Sequence, residues 1–169
     1  QKAIDTESTG KLLLTELYKR FVGNYPRFYK MAMLSRLGFI ATELLLNAEG
    51  KQRFVECSDR AVIFIGRSGS IVADRAYYDS IKDPGDYYPS PERFVYTLPN
   101  IGTGEIAIRN HYHGETAYYS IEKKDQALIH QIISASFLDS DTKSVLGGWI
   151  ECADENEFEA DIYINEIIK

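Results

Sequence analysis

The groups able to do chemistry are few and scattered. The chain carries two cysteines, Cys57 and Cys152, and three histidines, His111, His113 and His130. The cysteines lie far apart and share no C-x-x-C spacing. They leave room for one disulfide at most, and for no zinc site or disulfide framework. Two lone thiols fit a reducing compartment, so cytoplasm is the expected location. His111 and His113 alternate along the chain, which puts both on one face of an extended segment. Glu115 is the only third ligand nearby, and two imidazoles without a thiolate make a poor metal set. The expectation is therefore no metal and no cofactor, with this segment as polar surface.

Charge sets the next limits. The net charge is −6, which argues against nucleic acid as a partner. No apolar run approaches the roughly 20 residues of a membrane-spanning helix, so no membrane partner is expected. Gln1 to Gly10 is polar and does not read as a secretory signal. The charge is unevenly spread. Leu17 to Arg36 holds Lys19, Arg20, Arg27, Lys30 and Arg36 and no acid, whereas Glu151 to Lys169 holds Glu151, Asp154, Glu155, Glu157, Glu159, Asp161 and Glu166 against Lys169. Such asymmetry steers a charged partner or is a solvated face. There are 12 tyrosines, paired at Tyr77-Tyr78, Tyr87-Tyr88 and Tyr118-Tyr119. Paired aromatics either anchor an interface or fill core on one side and meet water on the other. The interface reading is best placed on the Asp83–Pro91 loop, at Tyr87 and Tyr88.

The elements that must position these groups follow from periodicity. Lys11 to Phe21 has helical spacing and is closed by Gly23 and Pro26. Met31 to Ala48 is the clearest helix, with Leu34, Leu37, Ala41, Leu44, Leu45 and Ala48 on one face, and Asn47 to Gly50 stops it. Ala61 to Ile65 is an unbroken apolar run, the pattern of a strand buried on both faces of a parallel sheet. Gly66 to Ser70 turns the chain into a helix over Ile71 to Ile81, and Asp83 to Pro91 is a loop. A short helix is expected at Gly104–Arg109, a strand at Thr116–Ile121 and a helix at Gln126–Leu138. Two strands end the chain, Val145–Ile150 and the alternating Ala160–Ile164, with Gly147-Gly148 permitting close backbone approach. Alternating helix and strand predicts a layered α/β domain with a largely parallel sheet.

Three segments, in order, resemble β-ketoacyl synthases of the thiolase-like superfamily. Tyr25 to Asn47 is similar to the family's early helix, with Tyr29-Lys30-Met31 leading into Ser35-Arg36. Ser90 to Glu115 carries the most specific landmarks: Ser90-Pro91, Phe94, Thr97 with Asn100, the run Gly104-Glu105-Ile106-Ala107-Ile108-Arg109, and then Gly114. Ala127 to Glu151 is similar to a helix and strand ending in Gly147-Gly148 and Glu151, and Val62 to Ser70 sits where the family places a strand and a Gly-rich turn. The resemblance covers residues 25–151. It implies one thiolase-like half-domain over residues 1–169, with a mixed sheet of about five strands flanked by helices. No first strand is evident before Lys11, so residues 1–24 form an unassigned edge. The link between the last two strands is far shorter than in the enzymes.

The resemblance also implies a chemistry that these residues do not supply. A ketosynthase uses a cysteine at a helix N-terminus, where the dipole lowers its pKa, with two histidines from its second half. The matching window, Tyr119-Ser120-Ile121-Glu122-Lys123, has no cysteine. Ser120 is the only hydroxyl at that place and needs a base, and His130 lies two to three turns away. Its other reading is a helix N-cap followed by Glu122 in the first turn.

The resemblance thus implies first a non-catalytic ketosynthase-like subunit in fatty-acid or polyketide-type biosynthesis, paired with itself or with a ketosynthase. The second reading is a module binding an acidic acyl carrier protein or acyl thioester through the basic stretch, at Arg27, Lys30 and Arg36. The third is a residual acyltransferase using Ser120.

Overall fold

The computed structural model describes residues 4–167. Its centre is β1 (Arg60–Gly66), buried along its whole length, as an unbroken apolar run requires. Parallel neighbours flank it. β2 (Thr116–Ser120) pairs from Val62↔Thr116 to Gly66↔Ser120. β3 (Ser144–Cys152) pairs from Arg60↔Ser144 to Ile65↔Trp149. β4 (Phe158–Glu166) returns antiparallel to β3, giving the order β2-β1-β3-β4. The sheet thus has four strands among the described residues, close to the five expected. No strand precedes the first helix there, since residues 4–9 carry none.

Strand alternation sends side chains to two separate cores. Val62, Phe64, Leu146 and Ile150 face α1 (Gly10–Phe21), α2 (Met33–Glu49) and α5 (Ile101–Asn110). Ala61, Ile63, Ile65, Val145 and Trp149 face α6 (Gln126–Ala135), through Ile129 and Ile133. Among the described residues, α1, α2 and α5 thus supply buried side chains to one core and α6 to the other.

Boundaries differ from the periodic reading for identifiable reasons. The long helix starts at Met33 because Pro26–Lys30 forms a separate 3-10 turn, and it stops at left-handed Gly50, as expected. α3 covers Ile71–Asp79. α4 (Pro91–Val95) is unforeseen: Pro91 opens it and Ser90 Oγ accepts from the Arg93 N–H, a regular start. α5 begins three residues before Gly104, at Ile101 after the N-cap Asn100, and sets Gly102 against Ser35 of α2, where a larger side chain would crowd. α6 gives way after Ala135 to a 3-10 turn at Ser136–Leu138.

Two ionic clusters lie within this frame. Glu43 of α2, almost fully buried, accepts from Arg53 Nη2 at 2.5 Å and Arg109 Nε at 2.9 Å. Arg60, at the start of β1, is held by both oxygens of Glu49 at 2.7 and 2.9 Å and by Ser144 Oγ at 2.9 Å. No helix is long and apolar enough to cross a membrane among the described residues.

The tightest constraint is backbone contact across β3. A Cβ at Gly147 would overlap the carbonyl of Ile63, and one at Gly148, whose φ is +141°, would overlap that of Asp161. Gly147→Ala should cost about 4 kcal/mol or more, measured by urea unfolding. A loss under about 1 kcal/mol would show that the strands part easily.

Candidate functional site

Where the resemblance places the nucleophile, β2 ends and α6 begins. Ser120 is the last residue of β2, opposite Gly66, and is exposed. The ladder runs on through the Ile121 N–H, which donates to Gly66 O. Ser120 is thus not the N-cap that the sequence reading allowed. The cap is Asp125, whose carboxylate accepts from the N–H groups of Ala127 at 3.0 Å and Leu128 at 3.1 Å. Ile121 is half-buried against the α6 core, and Glu122 and Lys123 are exposed. Lys124 is ion-paired to Glu159 and, at 3.1 Å, to Asp161 on β4. His130 lies down the helix with Ser134 Oγ, 3.4 Å from its Nδ1.

The turn after β1 is filled by the chain itself. The N–H groups of Arg67, at 2.7 Å, and Ser68, at 3.2 Å, donate to the Glu151 carboxylate. Successive N–H groups of a tight turn form an anion cradle, and here Glu151 occupies it. Burial pushes the Glu151 carboxyl up, but the hydrogen bonds outweigh it and hold the group below the usual carboxylate range. Behind the turn, burial and the nearby Glu151 push the Cys152 thiol to about 12. Cys57 is half-buried and donates to Asp59, and burial raises its pKa too. Both thiols are free, and both favour the protonated, unreactive form.

His111 and His113 do not share an extended face with Glu115. His111 is the left-handed C-cap of α5, and their common partner is Glu56. His111 Nδ1 lies 3.0 Å from one Glu56 oxygen while His113 Nε2 meets the other. No group of three ligands that could hold a metal occurs among the described residues.

The basic stretch divides in the structure. Arg27 donates to buried Glu105 at 2.8 Å, and the hydroxyls of Tyr25 and Tyr96 meet the same carboxylate. Arg36 donates to the carbonyls of Met31 at 2.8 Å and Tyr29 at 2.6 Å, fastening the Pro26–Lys30 turn to α2. Lys30 and Arg36 then line a groove of about 690 Å³, with Lys11 from α1 and Arg93 from α4. Its floor is Met31, Ala32, Ala73 and Ala76, and its acids are Asp79 and Glu92, the latter 3.5 Å from Lys30. Tyr87 and Tyr88 lie outside this groove, exposed on the preceding loop. Lys11 and Arg93 escaped sequence reasoning because they are isolated cations, far apart in the chain. The folded proximity of α1, α2 and α4 alone unites them.

No family model matches the chain, and no curated protein does. Solved structures do. The ishigamide ketosynthase/chain length factor superposes with a TM-score of 0.66 at 20% identity, over 81% of this chain and 38% of that one. The ketosynthase ApeO in complex with its chain length factor ApeC, from Xenorhabdus doucetiae, gives 0.54 at 16% identity, over 76% and 50%. The fold is that of a ketosynthase-type half-domain. At these identities the fold is what is shared, and the chain spans half or less of the length of those structures.

Two substitutions separate the roles at the half-domain's α6 start. Asp125→Ala should cost about 1 kcal/mol, and Ser120→Ala less than about 0.5 kcal/mol, by urea unfolding. The reverse order would make Ser120 the cap. Glu151 adds a pH signature. A carboxyl lowered by folding stabilises above its unfolded pKa of about 4.3, and that stability fades as pH falls through the folded value. Glu151→Gln should therefore flatten the acid side of the stability profile. A profile unchanged by the substitution would show that the cradle does not hold the charge.

Proposed function

We propose that this half-domain is a non-catalytic partner subunit of a ketosynthase in polyketide- or fatty-acid-type biosynthesis. The observation that carries the reading is the charged closure of the α6 start. A condensing cysteine needs a helix N-terminus free to stabilise its thiolate. Here Asp125 takes those N–H groups and Lys124 is bound to β4. A carboxylate at that place would raise a thiol's pKa rather than lower it.

The edge of β2 supports a pairing role. Thr116–Ser120 contains no charged residue and no proline, the devices that usually protect an edge. Val62 N donates to Glu115 O and Ile121 N to Gly66 O. In a parallel ladder the N–H groups of Ala117 and Tyr119 then point at β1, and those of Thr116, Tyr118 and Ser120 point outward. Exposed Ile108 and Tyr119 flank this edge. A ketosynthase adding an antiparallel strand here is the partner we favour over a carrier protein.

The groove between α1, α2 and α4 supports the second reading, a dock for an acidic carrier protein. It sets four cations against two acids in a chain of net charge −6. Arg27, tied to Glu105, is a poor probe of it; Lys30 and Arg93 are better ones.

Co-expression with a tagged ketosynthase from the same genome tests the first reading, with co-elution in fixed stoichiometry expected. Ser120→Pro removes an outward N–H without touching the β1 ladder, so it should abolish co-elution and leave the unfolding midpoint nearly unchanged. Co-elution that survives Ser120→Pro overturns the edge-pairing model. Loss on Lys30→Glu/Arg93→Glu instead would move the contact to the groove.

A further inference from the structure

The groove lined by Lys11, Lys30, Arg36 and Arg93 holds more positive charge than its acids answer. Asp79 is taken by Lys82 at 2.7 Å, and Lys11 by Glu155 at 3.2 Å. Lys30 shares Glu92 at 3.5 Å. Arg36 and Arg93 are left without an ion pair among the described residues. Arg36 is the unusual one. It is half-buried in the first turn of α2, where the helix dipole opposes a cation. Its Nε and Nη2 donate to the carbonyls of Met31 and Tyr29, and its guanidinium carbon stands 5.4 Å from the centre of the Phe28 ring. These contacts fix the fork without neutralising it, and Nη1 has no hydrogen-bond partner among the described residues. Burial pushes the Arg36 pKa down, and the more distant Glu155 only partly offsets this. A clip for the Pro26–Lys30 turn needs donors; it does not need a charge.

We infer that this groove binds a phosphate ester with a short apolar stem, the phosphate on Arg36 and Arg93 beside Lys30, the stem over Ala32, Ala73 and Ala76. Two unpaired guanidiniums match the two charges of a phosphate monoester, and the planar fork suits its oxygens. The floor supplies the rest of the fit. Ala73 and Ala76 stand three apart on α3 and so share a face, and with Ala32 they leave a recess where longer side chains would fill it. The volume, about 690 Å³, lies in the range of small-molecule sites. An acidic carrier protein needs only the exposed cations of the rim. The half-buried Arg36 and the alanine floor go beyond that need, so this inference stands without the carrier reading.

Calorimetric titration of the chain alone with hexyl phosphate, inorganic phosphate and hexanol separates head from stem. Hexyl phosphate should bind, inorganic phosphate should bind about tenfold more weakly or worse, and hexanol should give no signal. Arg93→Gln, at an exposed position, should weaken hexyl phosphate about tenfold and leave the unfolding midpoint unchanged. Ala76→Leu, at an exposed helical position that accepts leucine, should erase the advantage of hexyl phosphate over inorganic phosphate and leave the latter's affinity as it was. Arg36→Gln should abolish binding; where it loosens the turn instead, the other two variants decide. Co-sedimentation with phosphatidylcholine vesicles only when they contain phosphatidic acid would assign the head to a lipid, and hexyl phosphate binding without it assigns a soluble ester. No binding of hexyl phosphate at millimolar concentration overturns the inference. So does binding indifferent to Arg93→Gln, or hexanol bound as tightly as the ester. No carrier protein enters the titration, so its failure leaves the docking reading standing, and a failed carrier capture leaves this one.

Discussion

The backbone contact between β1 and β3 is the constraint on which the other elements depend. These strands pair along nearly their whole length, and at Gly147 the approach leaves no room for a side chain. Because β3 lies so close, its odd and even residues fall into step with those of β1. Val62, Phe64, Leu146 and Ile150 thus form one floor, and Ala61, Ile63, Ile65, Val145 and Trp149 the other. A single register error would exchange the two floors. The glycine pair therefore fixes which helices lie on which side, and with them the position of every charged cluster described above.

Much of this frame was legible in the sequence. The run Ala61–Ile65 is uniformly apolar because both faces are covered, whereas α2 is covered on nearly every side from Met33 to Leu46, beyond the single stripe that its spacing announces. The Gly-Gly pair and the alternating Ala160–Ile164 were also readable, since each encodes a local requirement. What escaped was set by distance. Nothing in the periodicity of Ile101–Asn110 announces that Gly102 meets Ser35 across the fold, and the spacing shows only the Gly104–Arg109 part of α5. A serine ahead of a helix reads as a cap, one of the two readings of Ser120, yet Asp125 is as good a cap and stands directly against α6. Glu56 was not foreseen as the partner of His111 and His113, because it joins them only through the loop that precedes β1.

The same distinction holds for the candidate sites. Arg27, Lys30 and Arg36 form one cluster in sequence and three environments in space. Arg27 is drawn to a carboxylate on α5, Arg36 to two carbonyls at the groove's side, and Lys30 to Glu92 across the groove. Charge counts along a chain measure available ions. Burial of an opposite charge such as Glu105 then decides which of them are committed internally, since a desolvated carboxylate claims the nearest cation.

The hairpin of β3 and β4 carries one more consequence. Its short link is closed by Asp154, whose carboxylate accepts the N–H groups of Asn156 and Glu157, so this strand pair is local in sequence. The two parallel pairs are not: Arg60 must find Ser144 and Val62 must find Thr116 across long intervening segments. Loop closure makes such pairings slow. The most buried strand of the finished molecule is therefore the one whose two partners lie farthest from it in sequence, and its burial depends on the contacts that cost most chain entropy to close.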